Sequence, residues 1–349
     1  MRSAETSGHS DKPHGNGIRR GYTFLMKPGG WLLLIVAGVS PGTVASAEPT
    51  AGTPIAPVRD SYPHLSPDGG RIVFQSNRSG SNQIWVMNQD GSGLEQLTHR
   101  GGQGAETPRW SPDGSRIVYA AYLGPDDNDV FVMDADAGNP RQVTDGPGYD
   151  DHPAWSFDGR RIVFNSDRDT PDLSAPWHER YHDIWSVELD DSGQAKNPVR
   201  HTDCRSVCTF GSLSPDGRWL LYRKVDDTPG LNWWLEAGPR NSEITIARPD
   251  GGGARLVASH PAFDGWPAWS PDGEWIVFAS NRAGPKLTGQ VWRVRKDDTG
   301  LQQITSGDWA HVQPAWGPDG TSLTAYRHHE TEASEYGSVI VITLPKTAD

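Results

Sequence analysis

The chain has 349 residues, with 32 Lys and Arg against 44 Asp and Glu, for a formal charge of -12. That balance excludes a nucleic-acid binder that works through a basic patch, and 2 cysteines exclude both a disulfide scaffold and a four-cysteine zinc site. With 40 Gly, 28 Pro and 15 Trp, the composition calls for many short strands joined by turns rather than helices or a disordered chain.

The first feature in the chain is the apolar run Trp31 to Val39, too short to span a bilayer comfortably. Lys27 precedes it, and Ala45-Ser46-Ala47 follows with the small-x-small pattern of a cleavage site. Residues 1–47 therefore read as a secretory signal peptide, and the mature protein is expected to be periplasmic or secreted. Removing Arg2, Lys12, Arg19, Arg20 and Lys27 together with Glu5 and Asp11 leaves a mature net charge of -15.

From there the chain repeats one unit six times. A turn of the form S-P-D-G recurs with its aspartate at Asp68, Asp113, Asp158, Asp216, Asp272 and Asp319, spaced by 45, 45, 58, 56 and 47 residues. Before the turn stands a P-x-W-S segment, as at Pro108–Ser111, Pro153–Ser156 and Pro267–Ser270. Proline presets φ, Asp bonds back to the backbone and Gly supplies a left-handed residue, so each turn closes a hairpin. After it come a strand such as Arg71–Phe74 (RIVF), a second such as Ile84–Met87 (IWVM) and a short third such as Gln96–Thr98 (QLT). Counting the P-x-W-S segment, each unit has four strands. They are apolar on both faces, so every sheet must be covered on both sides, as radial stacking achieves.

The expectation is all-β: a six-bladed β-propeller of four-stranded antiparallel blades over residues 48–349. The last unit ends near Leu344 after three strands, so Pro54–Arg59 is expected to supply its fourth and close the ring. Pro57 suits an edge position only.

These repeats resemble those of the TolB-type β-propeller family, also called WD-like periplasmic repeats. The resemblance rests on the P-x-W-S-P-D-G turns, the S-N-R-x-G loops (Ser76–Gly80, Ser280–Gly284) and the I-W-V-M strands, and it spans about Pro54 to Leu344. It implies the fold strongly and the function weakly, because propellers host unrelated tasks. The stretch from Ala47 to Pro54 is too short for the α/β domain that precedes the propeller in TolB, so the Tol-Pal role is not carried over. No G-x-S-x-G nucleophile motif of a propeller-linked peptidase follows residue 47.

Candidate site residues gather on the face where blades connect. Three positions before the proline of each P-x-W-S segment, or its equivalent, stand Asp60, Ala105, Asp150, Cys208, Asp264 and His311, with Glu106 beside the second. Converging carboxylates need a compensating charge. They could hold a divalent cation or a cationic group, or each Asp could serve its own blade. Two longer loops, Asp169–His182 and Asp226–Asn241, carry Trp177, Tyr181, Trp233 and Trp234, aromatic residues suited to a binding surface. His178 to His182 matches H-E-x-x-H, but in a loop rather than on the helix a zinc peptidase needs. Cys204 and Cys208, in an exported protein, are expected to form a disulfide. The opposite face, built of short turns, is expected to lack side chains for contact.

The leading expectation is a monomeric binding module for a protein, peptide or glycan, without catalysis or cofactor. The alternative is a metal-dependent polysaccharide lyase or hydrolase, which would need His311, His152 and His64 to converge on one ion.

Overall fold

The S-P-D-G turns are built by their own side chains. Ser66 Oγ donates to Asp68 Oδ1 at 2.5 Å and accepts the Arg71 N–H at 2.9 Å, while Asp68 accepts the Gly70 N–H at 3.0 Å. Gly69 sits at a φ of 72°, where a side chain would be strained. The same serine–aspartate set recurs at Ser111, Ser156, Ser214 and Ser270. In the sixth unit Gly317 stands in place of the serine, and Ser322 Oγ bonds Asp319 at 2.8 Å instead.

These hairpins organise a computed structural model that describes residues 58–344, apart from 102, 125, 176–179, 191–192, 226–241, 285–288 and 330–336. The first blade is β1 (Asp60–Leu65), β2 (Arg71–Ser76), β3 (Gln83–Asn88) and β4 (Glu95–Gln96). The second is β5 (Ala105–Trp110), β6 (Arg116–Gly124), β7 (Asp127–Asp134) and β8 (Arg141–Gln142). The third is β9 (Asp150–Trp155), β10 (Arg161–Ser166), β11 (Asp183–Leu189) and β12 (Ala195–Arg200). The fourth is β13 (Val207–Leu213), β14 (Leu220–Val225), β15 (Ser242–Ala247) and β16 (Arg255–Val257). The fifth is β17 (Asp264–Trp269), β18 (Trp275–Ser280), β19 (Gln290–Arg295) and β20 (Gln302–Gln303), and the sixth is β21 (Trp309–Trp316), β22 (Ser322–His329) and β23 (Gly337–Thr343). Each sheet runs in simple antiparallel order, and no helix occurs among the described residues.

The fourth strands are latched by the threonine that follows them, in a Q-x-T motif at Thr98, Thr144 and Thr305 and in Arg200-His201-Thr202 in the third blade. Thr98 Oγ1 accepts the Ile84 N–H at 2.9 Å and donates to Gln83 at 2.8 Å, and Thr144, Thr202 and Thr305 repeat the arrangement.

The six first strands pack side by side around the axis, and the ring closes where β1 meets β21. Successive blades are stitched by parallel bridges between the start of a third strand and the residue entering the next blade: Asn128 with Tyr149, His182 with Val207, Ser242 with Phe263. Arg59 bridges Gly337 in the same way, so the described end of the N-terminal segment acts as an inter-blade connection. Pro54–Pro57, the rest of the expected closing strand, lie outside the described residues.

The core lies between neighbouring sheets. β2 is buried at every position after Arg71, as a strand covered on both faces requires. Between the first two blades, Val73 and Ile84 meet Trp110, Ile117 and Tyr119. The same pattern recurs between the later blades, as where Ile244 and Ile246 meet Trp269, Ile276 and Phe278.

Candidate binding site in the central channel

Each first strand breaks register once. The irregularity falls between Ser61 and His64, Glu106 and Arg109, Thr209 and Ser212, Gly265 and Ala268, and Val312 and Ala315, and opposite β9 in β10. At each break one non-glycine residue takes a left-handed conformation: Tyr62, Thr107, His152, Phe210, Trp266 and Gln313, with φ from 50° to 59°. Such conformations cost on the order of 1 kcal/mol or more each, and repeated bulges re-aim side chains. Here they bring aromatic rings together across the axis. His152 and Phe210 centroids are 4.1 Å apart, Tyr62 and His152 5.8 Å, and Phe210 and Trp266 6.0 Å.

The aspartates expected to form a ring are each engaged inside their own blade. Asp60 pairs with Arg78 at 2.6 Å, Asp150 with Arg168 at 2.5 Å and Asp264 with Arg282 at 2.6 Å. Each arginine lies 18 residues on, in the S-N-R or S-D-R loop, and its guanidinium stacks on two aromatic rings of the blade, such as Phe278 and Trp292 for Arg282. Their charges are thus offset locally. His311 reaches Gln290 of the preceding blade at 3.2 Å, and burial together with Arg327 pushes its pKa down to about 4. Among the described residues, no group of three His, Cys, Asp or Glu side chains could hold a metal ion.

Glu106 is different. It and Asp151 occupy the same repeat position in adjacent blades, one residue before the left-handed Thr107 and His152. Burial, and next the charge of Asp151, pushes the Glu106 carboxyl up to about 8; hydrogen bonding from Tyr122, Tyr149 and Asn82 offsets part of that rise. Burial pushes Asp151 up to about 6 against hydrogen bonds from the His152 N–H and Thr107. Among the described residues, neither carboxylate has an arginine or lysine partner. His152 Nδ1 lies 3.1 Å from Asp151, but burial and Arg223 push its pKa down to about 3, so at neutral pH it brings no positive charge. At the Glu106–Asp151 pair two carboxylates thus adjoin without an arginine or lysine among the described residues.

The loop residues contribute less to this picture. Tyr181 is exposed, whereas Trp177, His178, Glu179, Trp233 and Trp234 lie outside the described residues. Arg180 folds back to Asp167 at 3.2 Å and to the Ala175 carbonyl at 3.0 Å. His182 is buried at the entrance to β11, in extended chain. Cys204 and Cys208 are joined by a disulfide, with Cα atoms 6.2 Å apart, beside β13.

The turn-side half of the channel holds a cavity of about 320 Å³. Its walls include His64, Arg109 and Ser212, and its rim is Pro67, Pro112, Phe157, Pro271 and Pro318. The turn face therefore does present side chains: the prolines of the turns and the Trp residues just before them surround an opening. The residue after each P-x-W-S proline points into the channel, a signal already visible in the sequence at His64 and Arg109.

With this geometry in hand, the chain can be compared with known proteins. The sequence model of a family described as the tricorn protease N-terminal beta propeller domain matches residues 103–312. An uncharacterized protein of Agrobacterium fabrum is 38% identical over 109 residues, a segment that spans 29% of this chain and 31% of that protein. TolB from Acinetobacter baumannii superposes with a TM-score of 0.59 at 21% identity, over 75% of this chain and 57% of that one. A putative TolB from Agrobacterium tumefaciens gives 0.57 at 20% identity, over 83% and 91%. An oligogalacturonate lyase in complex with manganese gives 0.55 at 14% identity, over 84% and 92%. At these identities the structural likenesses speak to fold. The family match covers well over half the chain, and the TolB-like six-bladed propeller agrees with it: the chain belongs to the family of the tricorn protease N-terminal β-propeller domain.

Proposed function

We propose that the protein is an exported, non-catalytic binding propeller, and that it recognises a protein, peptide or glycan through a cationic group seated against Glu106 and Asp151. The observation that carries this reading is the uncompensated pair itself. Two carboxylates without a cation, one buried and one half-buried, favour sharing a proton, and an incoming ammonium or guanidinium group offsets their repulsion. Tyr122 and Tyr149, whose hydroxyls burial holds protonated, supply donors beside the pair. The apolar run and the Ala45-Ser46-Ala47 pattern support export, and the acidic surface supports a monomer. No helix among the described residues is long and apolar enough to cross a membrane.

The test is calorimetric titration at pH 7 with a short lysine peptide and its fully acetylated twin, in two buffers of different ionisation enthalpy. The free-amine peptide binds, the acetylated one does not, and the heat depends on the buffer because binding expels the Glu106 proton. The double variant Glu106→Gln, Asp151→Asn loses the interaction. Binding of manganese but not of amines would favour the alternative, a metal-dependent lyase or hydrolase.

A further inference from the structure

The turn-side cavity has a charge pattern opposite to that of the molecule around it. The chain carries a formal charge of -12, yet no Asp or Glu lines this cavity. Its charged residue is Arg109, on β5. Arg109 is half-buried, makes no ion pair and no hydrogen bond among the described residues, and has its pKa pulled down to about 10 by partial burial. Arg78, Arg168 and Arg282, by contrast, each have an aspartate. Arg109 thus presents an unpaired positive charge at the cavity wall, where an anion delivered from outside can meet it.

The neighbouring polar groups point the same way. His64 Nδ1 accepts the Trp110 N–H at 3.3 Å, which leaves the ring proton on Nε2 as a donor. Burial, and next the Arg109 charge, holds this imidazole neutral, with its pKa pushed down to about 3. Ser212 Oγ also lines the cavity, and it is buried without a hydrogen-bond partner. Three donors thus face a space whose walls are mostly aromatic and proline rings, among them Trp110, Trp155, Trp269, Trp316 and Phe210. One guanidinium matches one negative charge in bidentate geometry. A phosphate dianion would bring a second charge into an apolar enclosure with no second cation, so a monoanion is favoured. The volume of about 320 Å³ lies at the lower end of the range for small-molecule sites.

We propose that the turn-side cavity is a second binding site, separate from the Glu106–Asp151 face, for a carboxylate borne on a small apolar or aromatic body, with Arg109 as its ion partner and His64 and Ser212 as further donors. The carboxylate can come from a free acid or from the C-terminus of a peptide ending in an apolar residue, and the experiment separates the two.

Binding of phenylacetate and of acetyl-Gly-Phe is measured by calorimetry and tryptophan-fluorescence quenching on the mature chain, each beside its neutral amide. The proposal expects at least one acid to bind and its amide to be weaker by about 10-fold or more, the scale of a charge-assisted hydrogen bond. Phenylacetate alone identifies a free-acid site, and acetyl-Gly-Phe alone identifies a C-terminus site. Arg109→Gln abolishes the preference for acid over amide. Ala268→Phe, which fills the cavity and leaves Arg109 in place, abolishes binding of both probes. Equal affinity for acid and amide in the wild-type protein, or no binding of either acid, overturns the proposal, whatever the folding of the variants.

Discussion

Replacing Glu106 with glutamine should make the propeller more stable relative to wild type, by an amount that grows as the pH rises above the range in which an unfolded glutamate ionises. Its folded-state pKa is raised to about 8, while an unfolded glutamate titrates near its ordinary value of about 4.3. A carboxyl raised on folding contributes favourably below the unfolded value and loses that contribution as pH climbs through the folded one. The wild-type protein therefore loses stability between about pH 4 and pH 8, and the variant does not. At about 1.4 kcal/mol per tenfold, the displacement corresponds to on the order of 3–5 kcal/mol at pH 9. For a domain of this size that is a gain of roughly 6–10 °C in melting temperature. Differential scanning calorimetry at pH 4.5, 7 and 9 is the assay. The two proteins should melt within a degree or two of each other, or the variant slightly lower, at pH 4.5, and diverge steadily upward. A difference that stays constant with pH would refute the assignment of Glu106 as a carboxyl held neutral by its surroundings.

The buried Asp264–Arg282 pair and the more exposed Asp60–Arg78 pair occupy equivalent places, so their variants form a calibrated comparison. Asp264→Ala should cost about 3–5 kcal/mol, because it strands a buried guanidinium, and Asp60→Ala measurably less; equal losses in urea titrations would contradict this. Cys204 and Cys208 should resist thiol labelling until a reductant is added, and Cys204→Ser should cost on the order of 2 kcal/mol from the short loop it leaves open. Thiols that label freely in the native protein would show that the disulfide does not form. Thr98→Val removes both the acceptor for the Ile84 N–H and the donor to Gln83, so it should cost about 1–3 kcal/mol, with early hydrogen exchange localised to β3 and β4; exchange unchanged at those amides would remove the latch from the account.

The fold was legible because its signals are local and repeated. Ser66, Pro67, Asp68 and Gly69 each specify the same turn by their own chemistry, and six copies at near-constant spacing leave few architectures. Which of the two readings open for Asp60, Asp150 and Asp264 applies is not legible in the sequence, for the opposite reason. Position in the repeat shows that three carboxylates are equivalent, but not what each one touches. The missing signal was present at a distance, since Arg78, Arg168 and Arg282 all lie 18 residues further on. Asp151 went unnoticed because a single carboxylate in a strand has no motif; it gains meaning only beside Glu106, its equivalent in the next blade. Arg109 carries no motif, and His64 stands out in the sequence only as a potential metal ligand rather than as a cavity donor. The bulges that turn the neighbouring Thr107 and Tyr62 into the channel have no glycine to announce them, and the left-handed residue is a tyrosine, a threonine, a histidine, a phenylalanine, a tryptophan or a glutamine.

The central claim is that Glu106 and Asp151 form a proton-sharing pair that a cation can occupy. Carbon-detected NMR titration of the two side-chain carboxyls, assigned through Glu106→Gln and Asp151→Asn, tests it most directly. In the free protein Glu106 should titrate near 8, well above the ordinary carboxylate range, and the lysine peptide should bring that midpoint down by a unit or more as the ammonium group replaces the proton. An ordinary midpoint near 4 in the free protein, or a raised one that the peptide leaves unmoved, would contradict the account.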